Sequence, residues 1–210
     1  DGKKGADEMA GRKGKDIYYV NNKNDKVIEL ANQGIDTVRS YINESLSSNV
    51  ENLELLGNKA INATGNKLNN KLRGNINNNI IKAKAGEDTI TGDLGLDILT
   101  GGIDADVFRY LSIDDSGTTK ATRDRITDFS AEDTIDLSKI DADQGVNGNQ
   151  EFVFIGSDLF SDAGQVRFNN GFLSVNADDD LGADLQIKLE GVTELFASSL
   201  ILWAVCSLYF

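Results

Sequence analysis

From Thr64 to Phe108 the chain repeats every nine residues: TGNKLNNKL, RGNINNNII, KAKAGEDTI, TGDLGLDIL, TGGIDADVF. Position two is Gly65, Gly74, Ala83, Gly92 and Gly101; position seven is Asn70, Asn79, Asp88, Asp97 and Asp106; position nine is Leu72, Ile81, Ile90, Leu99 and Phe108. A fixed period with a fixed chemical role at each position suits a chain that stacks copies of itself, not one that collapses around a single globular core. Glycine supplies left-handed backbone for a tight turn. The apolar residue two places after the Asp lies on the same face of an extended segment, carboxylate at the rim and aliphatic group inside. Strands this short survive only by pairing with their neighbours. Stacked strands lie about 4.8 Å apart, so the carboxylates stack as well. Like charges that close disfavour ionisation, and a hard divalent cation with an appetite for oxygen ligands relieves them.

The pattern resembles the nonapeptide of the RTX proteins, whose calcium-binding repeats build a parallel β-roll. The resemblance implies two nonapeptides per coil and calcium between alternate turns, so that Asp88 shares a site with Asp104 and Asp106 while Asp97 faces Asn79. The expected calcium-site residues of the array are Gly86, Asp88, Gly95, Asp97, Gly102, Asp104 and Asp106. Asn70 and Asn79 are read as turn residues that tolerate left-handed backbone. The repeats are eroded: Lys3, Arg12, Leu68, Asn77, Lys84 and Asp104 stand where glycine is usual. The chain opens on two further nonapeptides, DGKKGADEM and AGRKGKDIY, which place Asp7 and Asp16 at the ligand position. With no turn before them they are expected to be weak sites, and the chain is expected to be the C-terminal part of a longer protein.

The chain has 210 residues, a single Cys and neither His nor Pro. Without His, HExxH zinc chemistry, Ser-His-Asp triads and Cys-His pairs are excluded; no GxSxG or phosphate-binding GxxxxGK[ST] occurs either. The expectation is a non-enzyme. Residues 1–85 carry 14 Lys and Arg against 10 Asp and Glu, residues 86–210 carry 7 against 24, and the whole is −13. So acidic a chain repels nucleic-acid phosphates.

Residues 17–63 leave the nine-residue register but keep short β-type runs, IYYV, KVIEL, DTVRSYI and ENLELLG, between turn formers. The stretch resembles a cassette found between RTX arrays, which implies wider coils continuous with the repeats on either side. After Phe108 the motifs RDRITDF, DTIDLSKIDA, FVFIG and AGQVRF follow in order, with NNG at 169–171 the strongest hairpin signal. This region resembles the C-terminal domain of the serralysin-type proteases and of type I-secreted lipases. In that family it caps the roll and carries an uncleaved export signal. The fold expectation is therefore all-β, a parallel β-roll followed by a β-rich cap. Its divisions are degenerate repeats and wide coils at 1–63, the calcium roll at 64–108, and the cap with its secretion signal at 109–210.

Asp124 and Asp133, with Asp128 between them, flank RDRITDF, and the resemblance permits calcium there; a solvated acidic loop is the competing reading. Asn176, Asp178 and Asp180 have the spacing of an EF-hand loop. Leu181 replaces its glycine and Ile187 its closing Glu, so the segment is read as a hairpin turn. Residues 195–210 are apolar apart from three Ser, too short a run for a membrane span. They are left open among a last strand, an export signal and an altered reading frame, with Cys206 inert. The expected function is a calcium-binding roll that folds outside a bacterial cell and supports type I secretion and folding of an upstream protease, lipase or toxin. The partners implied are Ca2+ and the secretion apparatus. The alternative is an extracellular polysaccharide-binding or adhesin module, supported only by the surplus of lysine in residues 1–85, which otherwise reads as a solvated face.

Overall fold

A computed structural model describes residues 2–203. Cys206 and the rest of the apolar tail from residue 204 lie outside the described residues. Two long sheets run side by side. One has eight strands, all parallel: Ile17–Val20, Thr37–Ser40, Asn52–Leu55, Lys71–Arg73, Thr89–Thr91, Val107–Arg109, Thr134–Asp136 and Leu200–Ile201. The other has nine and is built through Glu44–Ser45, Ala63–Thr64, Ile80–Ala85, Ile98–Ile103, Asp124–Ile126 and Leu185–Leu189. It ends in an antiparallel hairpin, Phe172–Asn176 with Gln165–Asn169, edged by Val153–Phe154. A pair of two-residue strands, Glu8–Met9 and Lys26–Val27, stands apart.

The chain alternates between the two long sheets, so each coil is two nonapeptides and neighbouring ladder partners lie 18 residues apart, as Asn70 and Asp88 do. Position nine of every repeat points inward. Tyr18, Val38, Leu53, Leu72, Ile90, Phe108, Ile135 and Leu200 stack in register down one sheet, and Ala63, Ile81, Leu99, Ile126 and Leu189 down the other. All belong to one hydrophobic core. Burying an aliphatic side chain of this size contributes about 1.5–3 kcal/mol, and here each contribution depends on the coils above and below.

Residues 17–63 join this stack without interruption. They are not uniformly wide: Asp16 meets Asp36, 20 residues on, but Asp36 meets Glu51 only 15 residues later. After Phe108 the step lengthens to 27 residues, from Asp97 to Asp124 and from Asp106 to Asp133. The added chain between Phe108 and Asp124 is folded over by a short 3-10 turn, Ile113–Asp115, which Ser112 caps and Asp115 braces through the N–H groups of Leu111 and Ser112. The NNG signal at 169–171 forms the tight hairpin it predicts, with Asn170 and Gly171 both at positive φ.

Four eroded positions keep the backbone that glycine would hold: Lys3, Arg12, Lys84 and Asp104 all have φ between 41° and 91°. Gly86, Gly95 and Gly102 are also at positive φ, and a Cβ on any of them would run into the backbone of the preceding coil. Their contribution is to let the turns approach.

Candidate metal centre

The position-seven side chains form ladders along the two rims of the roll. On one, the Asn70 N–H donates to Asp88 Oδ1 at 2.6 Å, the Asp88 N–H to Asp106 Oδ1 at 2.9 Å, and the Asp106 N–H to Asp133 Oδ1 at 2.9 Å. On the other, the Asn79 N–H donates to Asp97 Oδ1 at 2.7 Å and the Asp97 N–H to Asp124 Oδ1 at 2.8 Å. The Ser116 hydroxyl ends this second ladder by accepting from the Asp124 N–H. One carboxylate oxygen thus serves the backbone of the coil before.

The second oxygen has no such use. Oδ2 of Asp88, Asp97, Asp106 and Asp124 is buried and has no hydrogen-bond partner. A Cβ at Gly92 would lie 2.3 Å from Asp97 Oδ2, and one at Gly101 would lie 2.2 Å from Asp106 Oδ2. Position-two glycine therefore keeps that oxygen free of side-chain crowding. Asp88 is different, because Ala83 puts a methyl group where Gly92 and Gly101 leave room. Asp133 differs again: its Oδ2 accepts from the Ser130 N–H at 2.7 Å.

Burial pushes all four orphaned carboxyls upward. Asp97, further disfavoured by Asp124, rises to about 9. Burial raises Asp124 to about 8 against the lowering effect of the Asp97 N–H. Burial and then Asp106 and Asp104 raise Asp88 to about 7; burial and then Asp133 raise Asp106 to about 6. A buried carboxylate with an unused oxygen is neutralised by a proton or by a cation. An all-oxygen donor set of this kind suits a hard divalent ion.

The resemblance implied Asp97 opposite Asn79, and the Asn79 N–H does meet Asp97 Oδ1, but the partner on the other side, Asp124, was not foreseen. Asp124 and Asp133 are buried rather than part of a solvated loop. Asp128 is committed to the backbone, accepting from the N–H groups of Gly101 and Gly102. Asp104 is exposed at the rim, where its Oδ2 accepts from the Gly86 N–H at 3.1 Å. Asn70 and Asn79 turn their amides onto carbonyls of the previous coil, Glu51 and Ile61 among them.

The tightest acidic group lies elsewhere. Among the described residues two sets of three carboxylates bring an oxygen each within 4.8 Å of one another: Asp16, Glu29 and Asp36, and Asp178, Asp180 and Asp184. In the first, Asp16 Oδ2, Glu29 Oε2 and Asp36 Oδ2 are all buried and unpartnered. The Tyr18 hydroxyl donates to the other Glu29 oxygen and accepts from the Gly11 N–H at 2.6 Å. The expectation that Asp16 is a weak site for lack of an upstream turn overlooked this: its partners, Glu29 and Asp36, come from the coil after it. Asp7 follows the ladder pattern, its N–H donating to Asp25 Oδ1 at 3.0 Å and its Oδ2 orphaned. Glu29 and Asp36 escaped sequence reasoning because they stand outside the nine-residue register. In the second set, the hairpin turn read from Leu181 is present, with Leu181 itself at positive φ, yet its carboxylates converge.

Two proteins resemble parts of the chain. A 66-residue stretch is 35% identical to the endo-1,3-1,4-beta-glycanase ExsH of Rhizobium meliloti, spanning 31% of this chain and 14% of that protein. The solution structure of the AlgE6R3 subunit of an Azotobacter vinelandii mannuronan C5-epimerase aligns with 70% of this chain and 84% of its own, at 24% identity and a TM-score of 0.39, too loose a likeness to carry an argument. No helix among the described residues is long and apolar enough to cross a membrane. The family described as peptidase M10 serralysin C terminal matches residues 12–202, and with nearly the whole roll and cap inside that match the chain belongs to this family.

Proposed function

We propose that the chain is a non-catalytic, calcium-dependent folding module, secreted from a bacterium by a type I route, that supports the folding of an upstream cargo. One observation carries the reading: coil after coil holds a buried carboxylate oxygen with nothing to bond, at Asp16, Asp36, Asp88, Asp97, Asp106 and Asp124. Calcium would be held by these oxygens and by Glu29, with turn carbonyls completing the six to eight ligands it takes. When bound it supplies charge neutralisation. The chain's own residues do the rest: the glycines bring turns together, the ladder N–H groups orient each carboxylate, and the position-nine residues close the core. In calcium-poor cytosol the carboxylates oppose stacking and the chain stays loose enough to thread a channel. Outside, binding free energy becomes folding free energy. Extracellular modules of this type work at about 10⁻⁴–10⁻³ M calcium. Membership in the serralysin C-terminal family supports the export role, and the stretch shared with ExsH makes a carbohydrate-acting enzyme one cargo to consider.

Far-UV circular dichroism with thermal melting, in EDTA and across a calcium titration, tests the proposal. A weakly folded, low-melting state in EDTA that gains β content and thermal stability as calcium rises is expected. A spectrum already β in EDTA, with a melting temperature indifferent to calcium, would sink it.

A further inference from the structure

Residues 86–210 contain 7 Lys and Arg against 24 Asp and Glu, and opposite charges are plentiful there. Yet five of those seven cations, Lys120, Arg123, Arg125, Arg167 and Lys188, gather round Phe172 in the cap. Among the described residues, Arg125 alone of the five makes an ion pair, with Glu190.

Strand register builds the cluster. Arg125, Lys188 and Phe172 are cross-strand neighbours in one row, and Arg167, Ser174 and Gln186 form the row two residues away, on the same face of the sheet. The tight turn at Asn170 and Gly171 makes room: a Cβ on Gly171 would lie 2.4 Å from Lys188 Nζ. Arg123 and Lys188 lie over the Phe172 ring, 4.5 and 4.3 Å from its centroid, and Arg167 lies 4.9 Å from that of Phe160. These stacks hold the cationic groups in place. Nε of Arg123 and Nε of Arg167 are buried donors without a hydrogen-bond partner.

Each cation raises the energy of the others, a cost set against the ring stacks, the Arg125–Glu190 pair and the bonds of Arg123 to the Thr118 carbonyl and of Lys188 to the Asn170 carbonyl. A ligand that neutralises them accounts for the arrangement. The space is an open depression of about 510 Å³ that continues into a second of about 300 Å³, the two sharing Arg123 and Phe172, so it suits a chain better than a compact ion. Guanidinium forks match planar carboxylates, taking both oxygens at once. Ser174, Gln186 and Asn170 line the second depression with neutral groups suited to hydroxyls. The net charge of −13 disfavours a nucleic acid.

We propose that this face of the cap binds a carboxylated polysaccharide, a uronate chain laid from Lys120 across Phe172 to Arg167. The cluster lies outside residues 1–85, whose surplus of lysine is the sequence's support for a glycan surface. The site stands on sheet register in the cap and does not rest on the calcium reading.

Isothermal titration calorimetry on the whole folded protein, in a fixed excess of calcium, tests it with three probes. They are oligoglucuronate, a cello-oligosaccharide of the same length that lacks only the carboxylates, and oligoglutamate. Oligoglucuronate should bind, more weakly as salt rises, and the other two should not compete with it. Arg167→Gln and Lys120→Gln should each weaken binding about tenfold, the loss of one charge-assisted hydrogen bond. Lys139→Gln, a cation of the same acidic half outside the cluster, should leave it unchanged. Lys120 is exposed on a turn, so its replacement keeps the test meaningful if Arg167→Gln misfolds. Absence of uronate binding, equal binding of the neutral oligosaccharide, equal binding of oligoglutamate, or wild-type affinity in the Lys120 variant would each overturn the proposal.

Discussion

Replacing Asp97 by Asn should shift the calcium-free and calcium-loaded proteins in opposite directions. Asp97 Oδ1 accepts from the Asn79 N–H while Oδ2 is buried with no partner, and burial together with Asp124 carries its pKa from 3.8 to about 9. Between those values the metal-free native state keeps a proton that the unfolded chain releases. Stability is therefore full below the unfolded pKa and falls as pH rises, by roughly 1.4 kcal/mol per unit. At neutral pH the deficit is roughly 4 kcal/mol as a ceiling and about 2 kcal/mol if local relaxation absorbs half of it. Asn keeps an oxygen that can accept from the Asn79 N–H and carries no charge. In EDTA at neutral pH the variant should melt about 4–8 °C above wild type, given 2–4 °C per kcal/mol for a chain of this size. In saturating calcium it should gain less than wild type, because one charged ligand is gone. Differential scanning calorimetry in the two buffers reads both arms. A lower melting temperature in EDTA, or an undiminished gain from calcium, would refute the claim that Asp97 is a frustrated carboxylate waiting for a cation.

The four raised carboxyls, at about 9, 8, 7 and 6 for Asp97, Asp124, Asp88 and Asp106, also set a pH dependence. Metal-free melting temperature should fall steadily as pH climbs from the ordinary carboxylate range through these values, while calcium affinity climbs over the same span because the ion competes with protons; flat titrations of both would contradict the pKa assignments. Asp88→Ala should reduce the calcium-dependent rise in melting temperature. Asn70→Ala should instead lower stability with and without calcium alike, since the Asn70 amide bonds the Glu51 carbonyl and its side-chain oxygen takes the Asn66 N–H; equal calcium responses in the two variants would remove the ladder assignment. Lys84→Gly should raise stability by about 1 kcal/mol in either buffer, because Lys84 is exposed at a φ of 91° that only glycine occupies freely; chemical denaturation would show it, and a loss of stability would mean the lysine makes a compensating contact.

The array was legible where one residue type does one job at one spacing. Leu72, Ile81, Ile90, Leu99 and Phe108 are all in the core. The hairpin at Asn170 and Gly171 was legible for the same reason, since few sequences suit two consecutive positive φ angles. Legibility ended where the period changed. The step to Asp124 and Asp133 is three nonapeptides, not two, so a two-repeat coil pairs Asp97 with Asp115 and Asp106 with Asp124 instead, and Glu29 reaches its site from a segment that belongs to no repeat. The cations round Phe172 were invisible in another way. They are scattered from Lys120 to Lys188 through an acidic sequence, and only cross-strand register collects them.

The ladder bonds have a direction. In every rung the donor is the backbone of an earlier coil and the acceptor is the carboxylate of a later one: Asp16 to Asp36, Asn70 to Asp88, Asp88 to Asp106, Asp97 to Asp124, Asp106 to Asp133. Each carboxylate rung is therefore closed by the C-terminal neighbour, while the Asn amides and the strand N–H groups reach back to the coil before. Removing the cap would strip acceptors from the last coils and fray the stack backward, whereas removing the first coil would leave every later rung intact. Assembly inherits the same polarity. A stack that forms from its C-terminal end would offer each arriving coil a carboxylate acceptor already in place.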